Sequence, residues 1–136
     1  MTSLAFTRIR PVPTEAWGPR LSDCDWVIAV SPAAVEALAV SLQRHWPEGP
    51  GLALIGPGSL RALRQSGMQI PASRLLLPSE PPFDAAGLLR TGRLAAGVRR
   101  RVLVVRGDGG REDWIDALRA QGVEVDIAAL YQRQPV

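Results

Sequence analysis

Short apolar runs alternate with amphipathic stretches along this chain, the pattern of repeated βα units. Trp26-Val27-Ile28-Ala29-Val30 is apolar throughout, as expected of a strand covered on both faces. Ser31-Pro32 follows, an N-cap with proline at the first helical position. Val35, Leu38, Ala39 and Leu42 then recur at helical spacing, and Pro47 closes that helix. A second strand is predicted over 52–55, and the turn Gly56-Pro57-Gly58-Ser59 leads into a helix that Gly67 ends. Arg74 to Pro78 reads as a third, short strand, and Asp84 as the cap of a helix holding Leu88 and Leu89. Val102-Leu103-Val104-Val105 is the clearest strand. After the turn at 106–110, Trp114, Ile115 and Leu118 mark a helix that stops at Gly122. Val123, Val125, Ile127 and Ala129 alternate with Glu124, Asp126 and Ala128, which suits a half-exposed edge strand.

Parallel strands require right-handed crossovers. The expected fold is therefore a single α/β domain over 1–136: a three-layer α/β/α sandwich on a five-stranded parallel, flavodoxin-like sheet. The two ends differ from the middle. Residues 6–13 and 130–136 are basic, extended segments that contain or end near proline, and they read either as frayed termini or as two crossings into a further unit.

Composition narrows the chemistry. All 16 basic residues are arginine, giving a net charge of +3. Arginine forks pair two-pronged with carboxylates and phosphates, so an anionic partner is one reading and a coding bias toward arginine the other. The absence of lysine excludes Schiff-base chemistry and the phosphate-loop lysine. One cysteine, Cys24, and one histidine, His45, provide no metal-ligand spacing and no catalytic triad. The arginines are dispersed rather than interleaved with aromatics, so nucleic acid is not an expected partner. No apolar run approaches the roughly 20 residues of a membrane helix, and no signal segment is evident at 1–10. The expected location is the cytoplasm.

In open α/β sheets, ligands sit outside the carboxyl ends of the strands. The turns at Ser31-Pro32, Gly58-Ser59 and Gly107-Asp108-Gly109-Gly110-Arg111 are therefore the candidate binding residues. Helix capping alone also explains Ser31 and Ser59, and a tight turn alone explains the glycines. Tyr131, the lone tyrosine, follows the last strand with Arg133 nearby. It reads as a ligand contact or proton donor, or as a cap on the sheet edge.

Three of these segments share a family resemblance. Residues 24–37, Cys24-Asp25-Trp26 through Ser31-Pro32 to Ala37, resemble the strand-turn-helix of uroporphyrinogen-III synthases. Ile55-Gly56-Pro57-Gly58-Ser59 with Gly67 is similar to that family's second turn and helix. Val102 to Arg111, followed by Leu118, Gly122, Val125 and Tyr131, is similar to its third block. The resemblance implies two α/β domains joined by a two-stranded connection, with this chain as the inserted domain, 1–13 and 130–136 as connectors, and a companion domain absent. It implies cofactor-free cyclisation of the anionic linear tetrapyrrole hydroxymethylbilane, with loss of water and inversion of the terminal pyrrole through a spiro intermediate. No metal is implied. Tyr131 matches the linker tyrosine that assists hydroxide departure, Ser31 the first-turn serine, and Ser59 a position usually threonine. Ser31, Pro32, Gly58, Ser59, Gly107, Gly109, Gly110 and Arg111 would meet substrate, and this domain alone would be inactive. The alternative is a non-catalytic binding or regulatory module on the same fold.

Overall fold

The computed structural model describes residues 7–11, 24–43, 45–47, 49–78, 85–94, 101–107 and 113–135. Strands are β1 (Thr7–Pro11), β2 (Trp26–Ala29), β3 (Gly51–Leu54), β4 (Leu75–Leu76), β5 (Arg101–Gly107) and β6 (Glu124–Pro135). Helices are α1 (Pro32–Ser41), α2 (Pro57–Ser66), α3 (Ala85–Leu89) and α4 (Asp113–Ala120). The sheet order is β1-β6-β5-β2-β3-β4. β2 to β6 are mutually parallel, giving the five predicted parallel strands.

Alternation along the strands divides the core into two layers. Val27, Ala29, Leu52, Leu54, Leu103 and Val105 point to the face covered by α1 and α2, against Val35, Leu38, Ala62 and Leu63. Trp26, Ile28, Ala53, Val102, Val104 and Val125 point to the opposite face, against Leu88 of α3 and Ile115 and Leu118 of α4. This is the expected three-layer sandwich. The geometry follows from the crossover rule: β2 to β3 to β4 advances one way along the sheet, whereas β4 to β5 to β6 advances the other. Right-handed connections running in opposite directions must lie on opposite faces. Among the described residues, no helix is long and apolar enough to cross a membrane.

Counted along the chain, the five parallel strands run 3-2-1-4-5, with β2 between β3 and β5. This is the order of the first five strands of doubly wound dinucleotide-type sheets. The switch point consequently falls between β2 and β5.

Local boundaries have simple causes. Ser31 caps α1, its Oγ accepting from Ala34 N–H at 3.1 Å. α1 ends at Leu42, before Pro47. Gly67 ends α2 in the left-handed region at φ 79°. The third parallel strand is shorter than predicted, because Ala72–Arg74 forms a 3-10 turn. Arg74 there donates to Pro47 O at 2.7 Å and Pro50 O at 2.8 Å, tying down the α1–β3 connection. Asp84, the predicted cap of α3, lies outside the described residues.

The chain ends form something the apolar pattern did not predict as strand. β1 pairs antiparallel with the distal part of β6, from Thr7 opposite Pro135 to Pro11 opposite Tyr131. β6 therefore begins inside the parallel sheet and continues past its carboxyl edge as one strand of a two-stranded ribbon.

Candidate functional site

The carboxyl edge of the parallel sheet gathers the predicted site residues in sheet order. β6 contributes Tyr131, β5 Gly107, the start of α1 Ser31 and Pro32, and the first turn of α2 Gly58 and Ser59. The two turns touch: a Cβ built on Gly58 would stand 3.5 Å from Pro32 Cγ. The end of β2 is tied to β5 by Val30 N–H donating to Val105 O at 3.3 Å. The switch point thus has the Ser31 turn on one side and Gly107 on the other, the place where this architecture accepts ligands.

The register brings two further candidates together. Gly107 pairs with Tyr131, and the ladder slips by one residue between Arg106 and Gly107. Leu130 is the extra residue, forming a β-bulge at the point where β6 leaves the sheet. Bulges at such places re-aim the following segment. Tyr131 also pairs with Pro11, so its backbone stands where sheet and ribbon meet. Gly109, Gly110 and Arg111, with Asp108 between them and Gly107, lie outside the described residues.

The helix termini at this edge differ electrostatically. Neither α1 nor α2 has an acid in its first turn, and Gly56, the N-cap of α2, provides no side-chain cap. With Pro57 at the first helical position, the amide of Gly58 at the second is a donor facing the turn. Exposed helix N-termini of this kind favour anions. α4, by contrast, carries Asp113 and Asp116 in its first turn. The Gly107 turn therefore leads to a helix start that already holds negative charge, and the α1 and α2 starts are the better anion sites.

Ser31 is half-buried and its oxygen is engaged in the cap. Pro32 and Gly58 are exposed, whereas Ser59 is only 3% exposed and is the buried polar residue of the described core. Two acids are paired at the amino edge, where Arg101 Nε meets Glu124 at 2.6 Å and Arg101 N–H meets Asp25 Oδ2 at 3.2 Å. His45 is exposed beyond the end of α1. Among the described residues, no group of three or more His, Cys, Asp and Glu is placed to hold a metal. A groove of about 430 Å³ runs beside α2 and β4, lined by Leu60, Leu63, Met68 and Leu75 among others, and it is not at the carboxyl edge.

The family resemblance implied a two-stranded connection of 1–13 with 130–136; the register that sets Pro11 opposite Tyr131 had no signal in the sequence.

The family model for uroporphyrinogen-III synthase HemD matches residues 3–136. The uroporphyrinogen-III synthase of Escherichia coli K12 is 32% identical over 116 residues, covering 83% of this chain and 45% of that protein. The Salmonella typhimurium LT2 uroporphyrinogen-III synthase is 35% identical over 117 residues, with the same coverages of 83% and 45%. The chain spans about half the length of these curated relatives. In fold it is similar to the uroporphyrinogen-III synthetase of Helicobacter pylori 26695, with a TM-score of 0.63 and 14% identity over 98% of this chain and 55% of that one. A mutant uroporphyrinogen III synthase from the extremely thermophilic bacterium Thermus thermophilus gives a TM-score of 0.58 and 18% identity over 96% of this chain and 52% of that one. The chain belongs to the uroporphyrinogen-III synthase family.

Proposed function

We propose that this chain is one α/β half of a uroporphyrinogen-III synthase, which closes hydroxymethylbilane to uroporphyrinogen III with loss of water and inversion of the terminal pyrrole. The observation that carries the reading is the carboxyl edge itself. Two uncharged helix starts meet at Pro32 and Gly58, and Gly107, on the other side of the switch point, pairs with the backbone of Tyr131. An edge of backbone donors and hydroxyls suits a flexible polycarboxylate that must be held in one folded shape, where positioning dominates catalysis. In this reading Ser31, Pro32, Gly58, Ser59, Gly107, Gly109, Gly110 and Arg111 meet substrate, and Tyr131 assists departure of hydroxide as a proton donor. The chemistry needs no cofactor.

The β1/β6 ribbon is the proposed connection to a companion domain that supplies the other wall of the site. Relatives about twice as long support this. The chain by itself would then hold half a site and be inactive.

A coupled assay tests the proposal. Hydroxymethylbilane is generated in situ and the type I and type III isomers are separated by chromatography. The chain is assayed alone and with the remaining half of the protein restored. The expected result is type III isomer only in the second case. Type III from the chain alone would overturn the claim of an incomplete site. Only the spontaneous type I isomer in both, from folded protein, would point instead to a non-catalytic module on this fold.

A further inference from the structure

Register fixes which residues form the last row of the sheet on the α3/α4 face. Ile28 pairs with Ala53 and with Val104, and Val104 pairs with Ile127. All four lie on or against the core layer of that face. Two residues further along the first three of these strands the same face is met again, at Val30, Ile55 and Arg106. Val30 and Ile55 are half-buried and pack against that layer. Arg106 directly follows Val102 to Val105, none of them more than 1% exposed, and is itself half-buried. Arg106 therefore stands at the end of β5 beside the switch point, in the row that holds Val30 and Ile55.

The row lies immediately before the turns at Ser31 and Gly56. A ligand over the carboxyl edge would meet the α1 and α2 starts on one side and this row on the other. An aliphatic ledge receives a flat apolar ring, and an arginine fork receives a carboxylate two-pronged. A guanidinium has five N–H donors, so the interaction Arg106 makes within the chain is compatible with a ligand carboxylate on its remaining donors.

Resting on the function proposed above, we infer that Arg106 is a substrate-binding residue. It pairs with a carboxylate of the linear tetrapyrrole while one pyrrole ring lies against Val30 and Ile55. Arg106 is thereby a specificity determinant for carboxylated pyrroles, beyond the turn residues already assigned.

The test uses the complete protein containing this sequence, as wild type, Arg106→Lys and Arg106→Gln. KM and kcat for hydroxymethylbilane, the isomer ratio and the thermal midpoint are measured for each. The expected result is a KM raised about ten- to a hundredfold in Arg106→Gln, as for loss of a charged hydrogen-bonding partner. Arg106→Lys should fall between, because it keeps the charge but not the fork. kcat should change far less, and the midpoint little. An unchanged KM, or a lowered midpoint with kcat lost at constant KM, would make Arg106 structural and overturn the inference while the cyclase reading stands. A folded wild type without type III product would overturn both.

Discussion

Gly51 opens β3 beneath the indole of Trp26, its register partner on β2. A Cβ there would stand 2.5 Å from Trp26 Cζ3, 2.7 Å from Cε3 and 2.9 Å from Arg74 O. Neither neighbour can yield cheaply. The indole is only 8% exposed and has the Arg93 guanidinium 5.6 Å from its ring centroid, and the carbonyl belongs to the backbone. Gly51→Ala should therefore destabilise the chain by about 1–3 kcal/mol, the usual cost of overpacking. Urea unfolding followed by tryptophan fluorescence measures it, and an unchanged midpoint would refute the close contact. Gly58 is the opposite case, since its added methyl would only reach ordinary contact with Pro32 Cγ at 3.5 Å. Gly58→Ala should leave stability within about 0.5 kcal/mol and raise KM in the complete protein if a ligand approaches that amide. Sequence reasoning singled out Gly58 by its place in a turn and passed over Gly51, because a glycine at the start of an apolar run discloses nothing of its cross-strand neighbour.

The start of α1 separates two roles of one residue. Ser31→Ala removes the oxygen that accepts from Ala34 N–H and should cost about 1 kcal/mol. Ser31→Asp keeps a cap and adds favourable charge at the helix start, so its thermal midpoint should match or exceed wild type. The same charge should repel a polycarboxylate and raise KM, whereas a residue that only caps would leave KM unmoved. Elements of this kind were legible: the apolar run, the Ser-Pro start and Gly67 located β2, α1 and the end of α2. What periodicity lacks is adjacency. It places β2 and β5 as strands without saying that they are neighbours, so the 3-2-1-4-5 order could not be read from it. Likewise Thr7-Arg8-Ile9-Arg10-Pro11 has no apolar pattern of its own, and becomes a strand through its partner, the end of β6. For the site, the rule that ligands sit at carboxyl ends found the turns. The bulge that sets Gly107 opposite Tyr131, and the row that holds Arg106, depend on register and were beyond its reach.

At the scale of the whole molecule, the core and the ribbon separate. β6 pairs with β5 over 124–131 and with β1 over 131–135, so the sheet and the ribbon share one strand and use different stretches of it. A two-stranded ribbon is marginally stable by itself, so the ribbon depends on the sheet that β6 shares. Deleting residues 1–11 should leave the far-UV circular dichroism that of an α/β domain, with the thermal midpoint within about 5 °C of the intact chain, a change of roughly 1 kcal/mol or less. In the proposed two-domain protein the same strand carries a different weight. Pro11 is the partner of Tyr131, and β1 with β6 forms the route to the companion half, so cutting β1 frees one side of the proposed proton donor and one of two tethers. Type III isomer formation by the reassembled halves should then fall well before stability does. If instead the shortened chain unfolds, β1 is part of what holds the sheet together, and the case for the ribbon as a separable connector fails with it.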